Sequence, residues 1–395
     1  MKKRLLSVFL CLCMVFGLVP ATVWAETTNG HTHYLCGGST CNGSGHGNET
    51  YKTTFEKEIK QEGNTLKIGD KSWAPTKGSN DTFYILPTGT YYLGSDISPE
   101  YTIKIENNVT LCLNGHKITA ADGMDAIYMT GGSFTLTDCK GVGTITHASS
   151  KTGRGVYVSS GTFNMYGGSI TGNTANSYGG GVYVDGGGFT MSGGTIGGTK
   201  TGETNTATYG GGVYVTGKGS FTMSASADGQ NIPSITGNNA TENGGGVYVI
   251  GSSSTFKMTG GTIGGTDAND ANTATNGGGV CVSKNGSFEM SGSSCITNNK
   301  ATSYGGGVHI SYASATFTMK GGSITGNNAY KSDYISTFGG GVCVGNGTFT
   351  MTDGSITGNN AAYGGGVYTV NEFKMSGGSI TGNNAYKSDY ISTFG

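Results

Sequence analysis

Five side chains able to ligate a metal crowd into the stretch HTHYLCGGSTCNGSGH: His31, His33, Cys36, Cys41 and His46. Imidazole and thiolate are the donors zinc prefers, and four of the five would complete a tetrahedral shell. Their spacing matches no standard zinc signature. A Cys36–Cys41 disulfide in a Gly/Ser-rich linker, with solvated histidines, accounts for the same residues. Four tyrosines form a second candidate site. Tyr157, Tyr183, Tyr214 and Tyr248 each stand in a GVYV block. Brought into one column they would offer sugar rings a strip of phenols, each with an apolar body and a polar tip. The alternative is an aromatic ladder that stiffens a sheet.

Other constellations fail on spacing. Cys281, His309 and Cys343 continue the tyrosine column. The two cysteines fall two coils apart, about 10 Å, and cannot both reach one zinc at about 2.3 Å. Glycosidic chemistry needs two carboxyls about 5–9.5 Å apart. Asp138 and Asp353 share a register but lie about 34 Å apart at the inter-strand spacing, and Asp185 has no acidic neighbour at its register. Asp267 and Asp270 share a loop without the further oxygen ligands calcium requires. Lys257 and Glu289 are expected as a surface ion pair on adjacent coils. Cys112 and Cys139 are expected either as a disulfide or as two thiols.

The elements that must position these residues repeat. GGGVYV-like blocks open at Gly153, Gly179, Gly210, Gly244, Gly277, Gly305, Gly339 and Gly364, spaced 25 to 34 residues apart. Each is followed by a GTFTMSGG-like block and then by SITGNNA or a variant. Such a period signals a solenoid. Period-2 alternation over three or four residues, bounded by Gly-Gly, Asp-Gly or Gly-Asn, predicts short strands and tight turns. Three strands per repeat, with no room for a helix, give an all-β, single-stranded, parallel β-helix. Its inward columns are Val156 to Val367, Phe163 to Phe373, Met165 to Met375 and Ile170 to Ile380. Three residues after each Ile, a turn column is expected at Asn173, Thr199, Asn238, Thr266, Asn299, Asn327, Asn359 and Asn383. Variable segments such as Lys200–Tyr209 and Ala329–Phe338 are expected to bulge as loops.

Composition limits the function classes. Glycine supplies 75 of 395 residues, without the strict triplet period of collagen. Lys2, Lys3 and Arg4, an apolar run from Leu5 to Val19, and Val23-Trp24-Ala25 form a secretory signal peptide. Its loss leaves 20 cationic against 24 anionic side chains, which argues against nucleic acid as a partner. No later apolar run approaches the ~20 residues of a membrane helix. The expected product is secreted, extracellular or displayed at a cell surface. The domains expected are a signal peptide over 1–25, a linker over 26–50, a cap over 51–85, irregular first coils over 86–152 and eight regular coils over 153–395. Gly321–Gly339 and Gly377–Gly395 are identical, so further C-terminal sequence carrying coils, a cap and an anchor is expected.

The pairing of GGGVYV with ITGNNA resembles the right-handed parallel β-helix superfamily typified by pectate lyases. More narrowly it resembles the Gly-Gly-rich repeats of bacterial surface and adhesin-like proteins, including the polymorphic outer-membrane type. The resemblance covers roughly residues 86–395. It implies the fold, but that superfamily holds lyases, hydrolases, adhesins and stalks. Gly45-His46-Gly47 is similar to the Gly-His-Gly of polygalacturonases, but their paired aspartates and Arg-Ile-Lys segment are missing. The function expected is therefore non-catalytic: adhesin-like binding of a polysaccharide or cell-surface glycan, or a structural spacer. The alternative is a polysaccharide lyase or glycoside hydrolase.

Overall fold

The computed structural model describes residues 31–34, 52–55, 57–79, 81–225, 232–267, 270–330 and 336–386. Its described elements are almost all short β-strands, and from Thr82 onward each pairs in parallel with its equivalent one coil later. The chain is an all-β parallel β-helix. Alternation sets the register: Val156, Tyr157 and Val158 pair with Val182, Tyr183 and Val184, which pair in turn with Val213, Tyr214 and Val215. Phe163 pairs with Phe189, Met165 with Met191 and Ile170 with Ile196.

All four inward columns form one continuous core through Val342, Phe349, Met351 and Ile356; in the last coil Val367, Phe373 and Ile380 are only partly buried and Met375 is exposed. From Phe163 to Phe373 the phenylalanine rings stack 4.6–4.8 Å apart. Each large side chain so buried contributes roughly 1.5–3 kcal/mol before chain entropy is subtracted. Two glycines show why the repeat needs them. At Gly212 a Cβ would come within 2.6 Å of the Gly246 carbonyl on the next coil. Gly354 combines φ of +101° with the methyl of Met319 pressed against it, where a Cβ would lie 2.6 Å from Cε.

The turn column differs from expectation in two coils. Thr199 and Thr266 are exposed, and their rungs are taken by Asn205 and Asn272, both fully buried. In these coils TIGG replaces SITG. Gly197 and Gly264, at φ of +89° and +95°, lead the chain out into a loop that re-enters at an Asn-Thr-Ala. A carboxamide both donates and accepts within one planar group, so it can hand a ladder onward. Asn205 Nδ2 donates to Ile170 O at 2.8 Å and to Asn238 Oδ1 at 3.0 Å. Asn238 Nδ2 repeats the pattern on Ile196 O and Asn272 Oδ1. The ladder continues through Asn299, Asn327 and Asn359 to Asn383. At its start stands His147, whose ring nitrogens lie 2.8 Å from Asn173 Oδ1 and 2.8 Å from Met124 O.

A second difference lies in the segments expected to bulge. Part of each forms a fourth parallel sheet, including Thr206–Tyr209, Asn239–Asn243, Thr273–Asn276 and Lys300–Tyr304. It buries a small-residue column, Ala207, Ala240, Ala274, Ala301, Ala329 and Ala361. At the N-terminal end the antiparallel hairpin Lys57–Glu62 and Thr65–Ile68 closes the stack, its first strand pairing with Gly89–Leu93. Trp73 locks it down, donating from Nε1 to Ile85 O and meeting Tyr84 edge-on. The pairing of Lys57–Glu62 with Gly89–Leu93 is already parallel, and Thr82–Ile85 stacks in parallel on Ile103–Ile105.

Candidate functional site

Of the metal candidates, His31 and His33 lie on the short strand His31–Tyr34, paired with Lys52–Phe55. Cys36, Cys41 and His46 lie outside the described residues. Among the described residues no group of three His, Cys, Asp or Glu is placed to hold a metal ion. Cys112 and Cys139 are thiols, and Cys139 donates to Asn114 Oδ1 at 3.5 Å. Its hydrogen bond to Cys139, reinforced by burial, pushes the Cys112 thiol well up.

Cys281, His309 and Cys343 do share one column. Cys281 Sγ lies 3.8 Å from His309 Nδ1, and Tyr304 stacks on the imidazole at 5.4 Å. Burial drives His309 down to about 4 and Cys343 up to about 12, and it raises Cys281 as well. Neutral thiols and a neutral ring make this an inert filler of the column.

The four predicted tyrosines do align, but they are not equivalent. Tyr157 and Tyr183 are half-buried, whereas Tyr214 and Tyr248 are only 6% and 5% exposed. A second aromatic row covers the latter two. Tyr178 lies 4.9 Å from Tyr214 and Tyr209 lies 5.9 Å from Tyr248. These covering rings occupy the position before Gly-Gly in their coils; Asn243 and Asn276 hold it in the next two, and Tyr304, Phe338 and Tyr363 resume the aromatic column. The residue preceding GGG was thus a legible signal that alternation within GVYV did not call upon. Burial raises Tyr183 to about 12, aided by the Asp185 charge, and raises Tyr214 and Tyr248 further. Face-to-face stacking also closes the ring faces: Tyr128, Tyr157 and Tyr183 follow one another at 4.9 Å, within 19° of parallel. What this wall shows to solvent is ring rims and hydroxyls.

At its N-terminal end the column passes from tyrosine to Lys104, the partner of Tyr128; Phe83 meets Tyr128 at 6.1 Å, tilted by 40°, and beside them lies a groove of about 500 Å³. Its walls include Phe83, Tyr128, Tyr157, Asp125, Arg154 and Asn176. Segments of five successive coils build it: Thr82–Ile85, Thr102 before Ile103, the turn before Ile127, the segment before Val156 and the turn after Asn173. Arg154 is fixed in place. Its Nη1 meets Asp125 Oδ2 at 3.3 Å, its Nε donates to Tyr178 O at 3.1 Å, and its plane lies over Tyr157 and Tyr183 at 5.0 and 4.7 Å. Phe83, Tyr128 and Asp125 sit in the irregular early coils, outside the repeat, so no periodicity pointed to them.

No family model matches the chain, and searches of curated proteins and of solved structures likewise find no match.

Proposed function

We propose that this chain is an exported, surface-displayed β-helix that acts by binding, adhesin-like, with a saccharide as its ligand, and that it does no covalent chemistry. The observation that carries this reading is where its carboxylates go. Asp96 accepts from Lys117 N, Asp122 from Thr152 N and Asp125 from Arg154 N. Asp138 accepts from Gly115 N and Gly143 N, Glu203 from Lys200 N and Asp270 from Asp267 N. These acids brace turns. A general acid must instead meet a substrate oxygen, with a second carboxyl across the scissile bond. The rows of tyrosine hydroxyls and the groove beside them support a binding role. So does the resemblance of GGGVYV and ITGNNA to adhesin-like repeats of the pectate-lyase-like superfamily. Incubation of the purified chain with glycan arrays and with soluble polysaccharides tests it. Retention of glycan without release of reducing ends or unsaturated products is expected. Sustained product release from any polymer would overturn it in favour of a lyase or hydrolase.

A further inference from the structure

The groove beside Phe83 and Tyr128 carries a charge pattern that separates one class of sugar from another. Two carboxylates, Asp81 and Asp125, face it with one cation, Arg154. That cation is already paired, through Nη1 to Asp125 and Nε to the Tyr178 carbonyl. Lys104, over Phe83, is likewise paired with Glu106 at 2.7 Å. A uronate entering here would meet a net negative wall whose guanidinium has a carboxylate beside it, and it would lose hydration without gaining an unpaired partner.

A neutral sugar meets the reverse. Its hydroxyls both donate and accept, and they suit carboxylate acceptors beside guanidinium and amide donors. Asp125, Arg154 and the exposed Asn176 and Ser177 supply that mixture along one side. Along the other, Phe83 and the ring rims of Tyr128 and Tyr157 supply an apolar surface. A volume of about 500 Å³ falls within the range of small-ligand sites.

We propose that this groove binds a neutral saccharide segment, with Tyr128 and Tyr157 as its apolar wall and Asp125, Arg154 and Asn176 as its hydrogen-bonding groups. The proposal rests on the glycan-binding reading above and narrows it to one place and one class of ligand. The resemblance to pectate-lyase-like proteins implies acidic polymers; the groove selects against them.

The test uses the full chain on immobilised neutral glucans, mannans and galactans beside polygalacturonate. Binding to at least one neutral glycan is expected, changing by less than about twofold between roughly 0.05 and 0.5 M salt. Tyr128→Ala and Asn176→Ala should each weaken it about tenfold or more, while Tyr312→Ala, an exposed tyrosine on another stretch of the surface, should not. Asn176 is exposed, so its variant keeps the fold, and circular dichroism checks the Tyr128 variant. Neutral-glycan binding untouched by both groove variants, or tighter binding to polygalacturonate, would overturn this proposal and leave the broader reading standing. Binding to no glycan at all would sink both.

Discussion

Between Gly210 and Phe338 the solenoid closes its polar groups into ladders. Asparagines pass hydrogen bonds along one corner, alanines fill another, and Tyr214, Tyr248, Cys281 and His309 lie buried in one column. Between Thr82 and Tyr183 the same architecture is left unfinished. There a histidine stands where the asparagine ladder begins, the tyrosine column gives way to Lys104 beside Tyr128, and an Asp125–Arg154 pair lines an open groove. Exact repetition buries side chains because each has an identical neighbour on both sides. The open groove lies where repetition fails.

Three measurements sharpen or break this contrast, the largest effect first. Asn238→Ala removes a rung from the closed region: the Ile196 and Thr236 carbonyls lose a donor and the Asn205 amide loses its acceptor, while Asn272 Oδ1 keeps only the backbone N–H of residue 238. Each buried orphan costs about 1–3 kcal/mol, so a loss of about 3–5 kcal/mol is expected in urea unfolding. His147→Asn, at the open end, offers the same amide chemistry and should cost less than about 1 kcal/mol. Equal losses at the two positions would show that the ladder is no more cooperative in its middle than at its start.

The next effect concerns acid. His309 is held at about 4 by burial, whereas an unfolded histidine titrates near ~6.5. The unfolded chain therefore takes up its proton first. The stability this group contributes is complete above pH ~6.5 and is lost as pH falls toward about 4, by about 2–3 kcal/mol. His309→Phe, stacked under Tyr304, should lose visibly less between pH 7 and pH 4 than the parent. Parallel acid profiles for the two would break the account of this column as closed and dry.

The smallest effect falls at the boundary between the two regions. Tyr183 is raised to about 12, against ~10 for an unfolded tyrosine. Its contribution is whole below pH ~10 and disappears as pH climbs toward 12. Because the phenol is only half-buried, less than about 1 kcal/mol is at stake. Tyr183→Phe should flatten the alkaline limb of the unfolding midpoint, and tyrosinate absorbance should lag in the parent.

Much of this was legible in the chain. Val156, Phe163, Met165 and Ile170, each repeated coil after coil, announced the inward faces, and the parallel register followed from their alignment. The ion pair between Lys257 and Glu289 was legible too, and stands at 3.7 Å. The candidate site was less so. Tyr157 does line the groove, but Tyr214 and Tyr248 were expected on the surface and are covered by Tyr178 and Tyr209. Those rings arrive from the end of the preceding variable segment, and alternation inside GVYV says nothing of them. Thr199 and Thr266 were placed by counting from Ile196 and Ile263, and the count failed because Gly197 and Gly264 divert the chain before the rung is made.

Residue order alone determined which side chains face inward, how often the chain turns and that successive turns stack, because alternation and glycine spacing act within a few residues. Only the tertiary structure decided which asparagine completes each rung, which tyrosines keep contact with solvent and where a groove opens. Those outcomes depend on neighbours a full coil away, brought alongside by loops of unequal length, and such distances are set by packing rather than by position in the chain.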